Sequence, residues 1–391
     1  MKTPSLRREA MAQAGSLSLL DSRSLEKALE AADVKDLHHR TVWHHVIYQR
    51  QEDSSKYPNL PLRARAALSR FKITSTVALR EESKDRTTTK LVVRLFDGLD
   101  VETVIMRYSG WSTACVSSQV GCRMGCSFCA TGTLGLKSSL TEGEILEQLW
   151  HANGVSPIRN VVFMGMGEPL DNYDEVVRAV NSMVAKFGLS YGRITVSTVG
   201  VVPKMLQLVK DAPGVSLALS LHAPTQELRR EIVPSAAAYP VSTLLDTAEK
   251  FIRQQQSLSR RNEKYQRVQI EYCLIAGVND QPETAMQLAN LLEGRDWVIL
   301  NVIPYNPTLT PVASQRGYST PSQEAIEGFT GVLKASNVRV FVRQEMGQDI
   351  SGACGQLVLK QARSSVWMYG LTAVGAFAIY ALWRTRRRKI V

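Results

Sequence analysis

Cysteine is scarce and unevenly spread. Six occur in 391 residues, and four of them, Cys115, Cys122, Cys126 and Cys129, crowd into fifteen positions, while Cys273 and Cys354 stand apart. So sparse a set in so long a chain excludes a disulfide-stapled secreted scaffold, and the opening residues carry no secretory signal. Glu9, Asp21, Glu26 and Glu30 also argue against a transit peptide. With 25 Gly and 15 Pro, the chain is neither collagenous nor of low complexity, and no short repeat is evident. A reducing compartment and metal-ligating thiols fit this usage better.

Acidic residues are in deficit. The net charge is +11, and five of the positive charges, Arg384, Arg386, Arg387, Arg388 and Lys389, fall in the last eight residues. The rest of the chain is still basic, which suits a polyanion such as RNA. Just before that tail, Val366 to Trp383 holds no charged residue. As a helix it would span roughly 27 Å, close to a bilayer's hydrocarbon core. Trp367, Tyr369, Tyr380 and Trp383 near its ends resemble interfacial anchors. Residues 363–391 therefore read as a C-terminal hydrophobic helix, a transmembrane anchor with a basic tail. The rest of the chain would face the cytoplasm, with plastid and mitochondrion as the other compartments to weigh.

What is present organises the remainder. Residues 1–95 read as a small accessory domain with helices at Ser24–Ala32 and Val42–Tyr48, and Asp97-Gly98 reads as a hairpin turn between strands Leu91–Phe96 and Val101–Met106. His38, His39, His44 and His45 read as a polar helix face, since no cysteine or carboxylate completes a metal set. Residues 96–362 then alternate strand, loop and helix. The expected strands are Asn160–Met164, Arg193–Ser197, Val215–Ser220, Val268–Leu274, Val298–Ile303 and Val338–Val342. Between them, Ile145, Leu146, Leu149 and Trp150 share a helical face, as do Val176, Val180, Met183 and Val184. The fold class is α/β: a parallel sheet covered by helices, forming a partial barrel.

Cys122-x3-Cys126-x2-Cys129 supplies three thiolates from one loop. Iron–sulfur clusters are held by cysteine thiolates, and three ligands on a 4Fe-4S cluster leave one iron open. That iron can take the amino and carboxylate groups of S-adenosyl-L-methionine, whose sulfonium one electron then cleaves to an adenosyl radical. A structural zinc site is the rival, but its ligands usually come as two separated pairs. Ligands of parallel α/β folds gather at the carboxyl ends of strands. Polar or glycine-rich groups recur at those places: Gly165-Met166-Gly167-Glu168-Pro169, Ser197-Thr198-Val199-Gly200, Ser220-Leu221-His222 and Tyr305-Asn306-Pro307. Their repetition in successive units points to one cofactor site.

Five stretches resemble the RlmN/Cfr family of radical S-adenosylmethionine RNA methyltransferases: Cys115–Cys122, Gly165–Leu170, Ser220–Pro224, Ile303–Pro307 and Asp349–Leu357. The likeness runs from about Glu102 to Leu357, with a weaker match around Arg40–Arg50. It implies a partial (β/α)6 barrel and methylation of an adenine ring carbon, carbon 2 or carbon 8, in large-subunit rRNA and in tRNA. By family pattern Cys354 is methylated and carries the methyl carbon to adenine, Cys115 resolves the protein–RNA adduct, and Glu102 is the general base. Gly167, Glu168, Ser197, Ser220, Leu221, His222 and Asn306 would surround S-adenosylmethionine. The resemblance further implies a monomer served by a one-electron reductant of the flavodoxin or ferredoxin kind. Arg63, Arg65, Arg70 and Lys72 would grip RNA phosphates. Cys273 matches no family site residue and reads as core.

The chemistry of the residues agrees. The amidine carbons of adenine are not nucleophilic, so a radical route and a cysteine carrier answer a real difficulty. Gly352 and Gly355 beside Cys354 suit a loop that presents it. Two features depart from the family. Ser235-Ala236-Ala237-Ala238 replaces a more polar run after Val233-Pro234, and the hydrophobic tail is additional. A membrane-tethered, non-catalytic RNA-binding relative is the alternative function, against which Cys354, Cys115 and Glu102 argue.

Overall fold

The computed structural model describes residues 2–258, 267–308 and 310–357. Its short β-branched segments form one ten-stranded sheet: β1 (Thr76–Glu82), β2 (Thr88–Arg94), β3 (Asp100–Tyr108), β4 (Trp111–Cys115), β5 (Ile158–Phe163), β6 (Ile194–Thr198), β7 (Ser216–Ser220), β8 (Val268–Leu274), β9 (Val298–Pro304) and β10 (Val340–Val342). They lie in chain order from one edge to the other. β1 to β4 form an antiparallel meander with short turns, whereas β4 to β10 run parallel.

Parallel neighbours need a crossover connection, and each one here carries a helix. The crossover helices are Glu142–Asn153, Tyr173–Ala185, Val202–Asp211, Val241–Leu258, Pro282–Leu292 and Gln323–Ala335. This is the α/β alternation read from the sequence. β1 and β4 were not among the expected strands. β1 is an edge strand with an almost wholly exposed pattern, so no apolar alternation marks it.

The helix Glu142–Asn153 shows where periodicity misleads. A capping box from Thr141 and Glu144 starts it, and Ile145, Leu146, Leu149 and Trp150 are buried as expected. Yet Glu144, Glu147 and Gln148 on its other side, and Glu142 in its first turn, are fully buried too. N-terminal segments cover that side and satisfy the carboxylates. Glu147 accepts hydrogen bonds from Ser18 Oγ at 2.6 Å and the Ser75 amide at 2.7 Å; Arg7 pairs with Glu144 and reaches Asp97 at 2.7 Å. Arg8 likewise joins Asp21 and Glu175.

Four helices, Pro4–Gln13, Ser22–Ala31, Asp36–Ile47 and Leu62–Leu68, make up this covering. His45 corrects the reading of a polar histidine face, since it is buried and stacks on Tyr57 at 4.8 Å. Met1–Leu357 form one compact unit. The boundary expected at 95/96 falls in the turn between the paired strands β2 and β3. Among the described residues no helix is long and apolar enough to cross a membrane. The C-terminal hydrophobic helix expected at 363–391 lies outside those residues and gains no support from them.

Candidate active site

The cysteine loop hangs from the carboxyl end of β4. A small antiparallel pair, Gln119–Gly121 with Leu136–Ser139, closes its base. Gly121 is indispensable there: its φ is +77°, and a Cβ would stand 1.9 Å from the Gly135 carbonyl oxygen. Inside the loop the Cys122 amide bonds to Gly135 O and the Cys129 amide to Cys126 O, both at 3.1 Å. The segment that departs from the family pattern packs directly on this loop. Ala236 shares an apolar cluster with Cys126, and the Ser127 amide donates to Ile232 O at 2.9 Å.

Cys122, Cys126 and Cys129 line a cavity of about 130 Å³ together with Gly167, Glu168, Ser197, Ser220 and His222. Each side chain arrives from a strand end. Ser220 closes β7 and Ser197 is the next-to-last residue of β6, with their hydroxyls 3.3 Å apart. His222 follows β7 at φ +64° and accepts the Cys273 amide on Nδ1 at 3.0 Å; burial, aided by Arg229, lowers it to about 3. Glu168 is buried and accepts the Leu170 and Val199 amides at 2.9 Å. Burial raises its carboxyl to about 7. Beneath them Arg229, fully buried, donates to the Val199, Ser220 and Leu221 carbonyls at 2.7 to 3.0 Å and so ties two strand ends together.

The three thiols fit an iron–sulfur cluster. Burial raises Cys122 to about 12 and Cys126 well above its usual value, and Cys129 opposes ionisation of both, as Cys122 does that of Cys126. A cationic iron core relieves that repulsion. The three thiols border one shared volume, as ligands to one cluster must.

A second cavity, of about 240 Å³, adjoins the first. Cys115 and Cys354 both line it, with Val104, Met106, Tyr108, Asn306 and Arg343. Cys115 ends β4, in register between Val104 of β3 and Val162 of β5. It is buried, and burial lifts its thiol to about 12. Cys354 is exposed, and it borders both cavities. Surrounding protein raises its thiol to about 11, while Arg343 pulls the other way. Its loop is fastened on two sides. Asn306 Nδ2 donates to Cys354 O at 3.0 Å, the Ala130 amide to Gly355 O at 2.8 Å, and Thr131 Oγ1 to Leu357 O at 2.7 Å.

Some expected residues sit elsewhere. Asn306 lines the larger cavity, not the cavity of the three cysteines. The Leu221 side chain is buried outside both cavities, and its amide donates to Glu271 O at 3.0 Å. Glu102 shares the β3 face of Val104, Met106 and Tyr108 and is buried 3.3 Å from Lys90 Nζ, outside the cavity lining. Arg63 pairs with Asp33 at 2.7 Å, and Arg65 donates to three backbone carbonyls. Arg70 and Lys72 are exposed. Cys273 is buried beside Ile275 and Tyr305, as a core residue should be.

Sequence reasoning missed Arg343, Glu271 and Lys90. Arg343 follows β10 at its carboxyl end, lines both cavities and lies 3.4 Å from Glu271. The strand-end rule already in hand would have found it. A lone acid inside the apolar strand β8 was the signal for Glu271. Lys90, buried in β2, meets Glu81 at 2.9 Å and Ile350 O at 2.6 Å, and nothing in its strand pattern announced that.

Residues 116–289 match the Radical SAM superfamily. A Probable dual-specificity RNA methyltransferase RlmN of Symbiobacterium thermophilum is 42% identical, over 80% of this chain and 82% of its own length. The chain belongs to the RlmN family of radical SAM RNA methyltransferases. A Ribosomal RNA large subunit methyltransferase N of Nitrosopumilus maritimus is 38% identical, over 80% of this chain and 89% of its own. The solved structure of a radical SAM methyltransferase from Sphaerobacter thermophilus superposes with a TM-score of 0.78 at 37% identity, covering 88% of this chain and 98% of that one. The RlmN-type cofactors are a 4Fe-4S cluster and S-adenosyl-L-methionine, and the cavity beside the three cysteines suits them.

Proposed function

We propose that this chain methylates an adenine ring carbon, carbon 2, in large-subunit rRNA, with tRNA as a second substrate class. The observation that carries the reading is the place of Cys354, on the wall shared by the cavity of the three cysteines and the cavity of Cys115. A carrier that must meet a cofactor on one side and a nucleobase on the other belongs there. The relatives' names, which specify RNA and the ribosomal large subunit, support the substrate class.

In this reading Cys122, Cys126 and Cys129 hold the cluster, and Gly167, Glu168, Ser197, Ser220 and His222 hold S-adenosylmethionine, with Leu221 and Asn306 supporting their loops. When bound, that pair supplies a methyl group and, after one-electron reduction, a hydrogen-abstracting radical. Cys354 carries the methyl carbon from one cavity to the other. Cys115 faces it and resolves the protein–RNA adduct. Glu102 accepts the ring proton, through a rearrangement that brings it to the cavity it now lies behind. Residues 1–95 act as an RNA-binding accessory to the catalytic region 96–362, with Arg70 and Lys72 on phosphates.

The test is anaerobic turnover of reconstituted protein on rRNA lacking the modification, followed by nucleoside mass spectrometry. Methyl label should appear on the peptide bearing Cys354 and then as 2-methyladenosine. Label only at carbon 8 would refute the regiochemistry. Methylated RNA formed by Cys354→Ala would refute the carrier role.

A further inference from the structure

The hairpin between β3 and β4 ends in an aromatic pair that the reaction scheme leaves unused. Tyr108 closes β3 and Trp111 opens β4, and the two are register partners. Their rings stack 4.2 Å apart at 18°. A cross-strand aromatic pair of this kind usually only steadies a hairpin. This one also stands on the wall of the larger cavity: Tyr108 lines it with Cys115, Cys354 and Arg343 and is 38% exposed. Trp111 thus backs a tyrosine ring that borders both solvent and the two reactive thiols.

A base cannot reach such a cavity while stacked in a helix. Enzymes that modify bases take them out of the stack, and the lost stacking is replaced on protein side chains. Unstacked RNA bases settle on aromatic rings and on guanidinium planes. The larger cavity offers the ring of Tyr108 and, beside it, the guanidinium of Arg343.

We propose that Tyr108, stiffened by Trp111, is the stacking surface that receives the extruded adenine beside Cys115 and Cys354. This rests on the reading that the chain modifies adenine in RNA. Tyr108 acts on the base, not on the cofactor, so its role is separable from cluster chemistry.

Two variants test it. Tyr108→Leu keeps apolar bulk for the hairpin but removes the π-face; Tyr108→Phe keeps the face. For RNA methylation, Tyr108→Leu should raise KM by about tenfold to a hundredfold. Tyr108→Phe should stay near wild type, and both should keep the methylation of Cys354 that precedes transfer to RNA. A second measurement needs no catalysis. An unstructured oligoribonucleotide carrying one 2-aminopurine should be quenched by the wild-type protein and by Tyr108→Phe, and much less by Tyr108→Leu. Wild-type protein that leaves the probe unquenched overturns the stacking surface, as does a Leu variant with unchanged KM and quenching. Wild-type protein that releases 5′-deoxyadenosine yet never methylates RNA overturns the functional reading itself.

Discussion

At the scale of single residues, the site depends on groups whose charges are shared. Lys90 is 5% exposed at its side chain and serves Glu102, Glu81 and the Ile350 carbonyl at once. Removing one partner of a buried ion pair strands the other charge, at a cost of about 3 kcal/mol. Lys90→Met should therefore lower the melting temperature. It should also free the loop that carries Cys354, so that iodoacetamide alkylates Cys354 faster in the cluster-free protein. Unchanged alkylation would show that Lys90 does not restrain the loop. His151 yields a pH prediction. Burial, and then the charge of Arg50, lower it to about 4 from an ordinary 6.5. A group neutral in the fold but protonated when unfolded makes stability fall as pH drops from 6.5 toward 4. Replacing it in His151→Gln should flatten that decline in melting temperature. An equally steep decline would show that other groups dominate.

At the scale of elements, the cysteine loop owes its shape to its closing pair of strands more than to the cysteines. Gly121 lies against Gly135 O with no room for a side chain. Gly121→Ala is expected to prevent cluster assembly, read as loss of bound iron and of the brown chromophore, while far-ultraviolet circular dichroism stays native-like. Normal iron content in that variant would mean the loop can re-form by another path. The repeated strand ends were legible because each parallel strand is a short apolar run followed by polar or glycine residues, and the fold brings those ends to one side. Neither the burial of both faces of the helix Glu142–Asn153 nor the deep position of Glu102 was legible in the same way. Periodicity registers an apolar stripe, and it is blind to carboxylates buried because a distant segment satisfies them.

At the scale of the whole molecule, the N-terminal covering and the sheet share one set of buried ion pairs. Arg7, 2% exposed at its side chain, joins the first helix to Asp97 in the β2–β3 turn and to Glu144 of a crossover helix. Arg7→Ala should lower the urea midpoint, by about 3 to 5 kcal/mol in stability, and should do so equally for probes in the covering and in the sheet. Separate transitions would show instead that residues 1–95 unfold on their own. The hydrophobic segment expected at 363–391 lies outside the described residues, and among those residues no helix is long and apolar enough to cross a membrane.

The spacing of Cys122, Cys126 and Cys129, the alternation of strand and helix, and the polar groups at strand ends are local patterns, and local patterns are what a linear chain displays. They were enough for the α/β class and for naming most of the residues that line the cavity of the three cysteines. Which residues meet across the sheet is another matter. Cys354 borders both cavities, and Arg343, Glu271 and Lys90 join the site, only because strands distant in the chain are neighbours in space. Contacts of that kind are set by packing and by the need to neutralise buried charge, and no stretch of sequence short enough to read contains both partners.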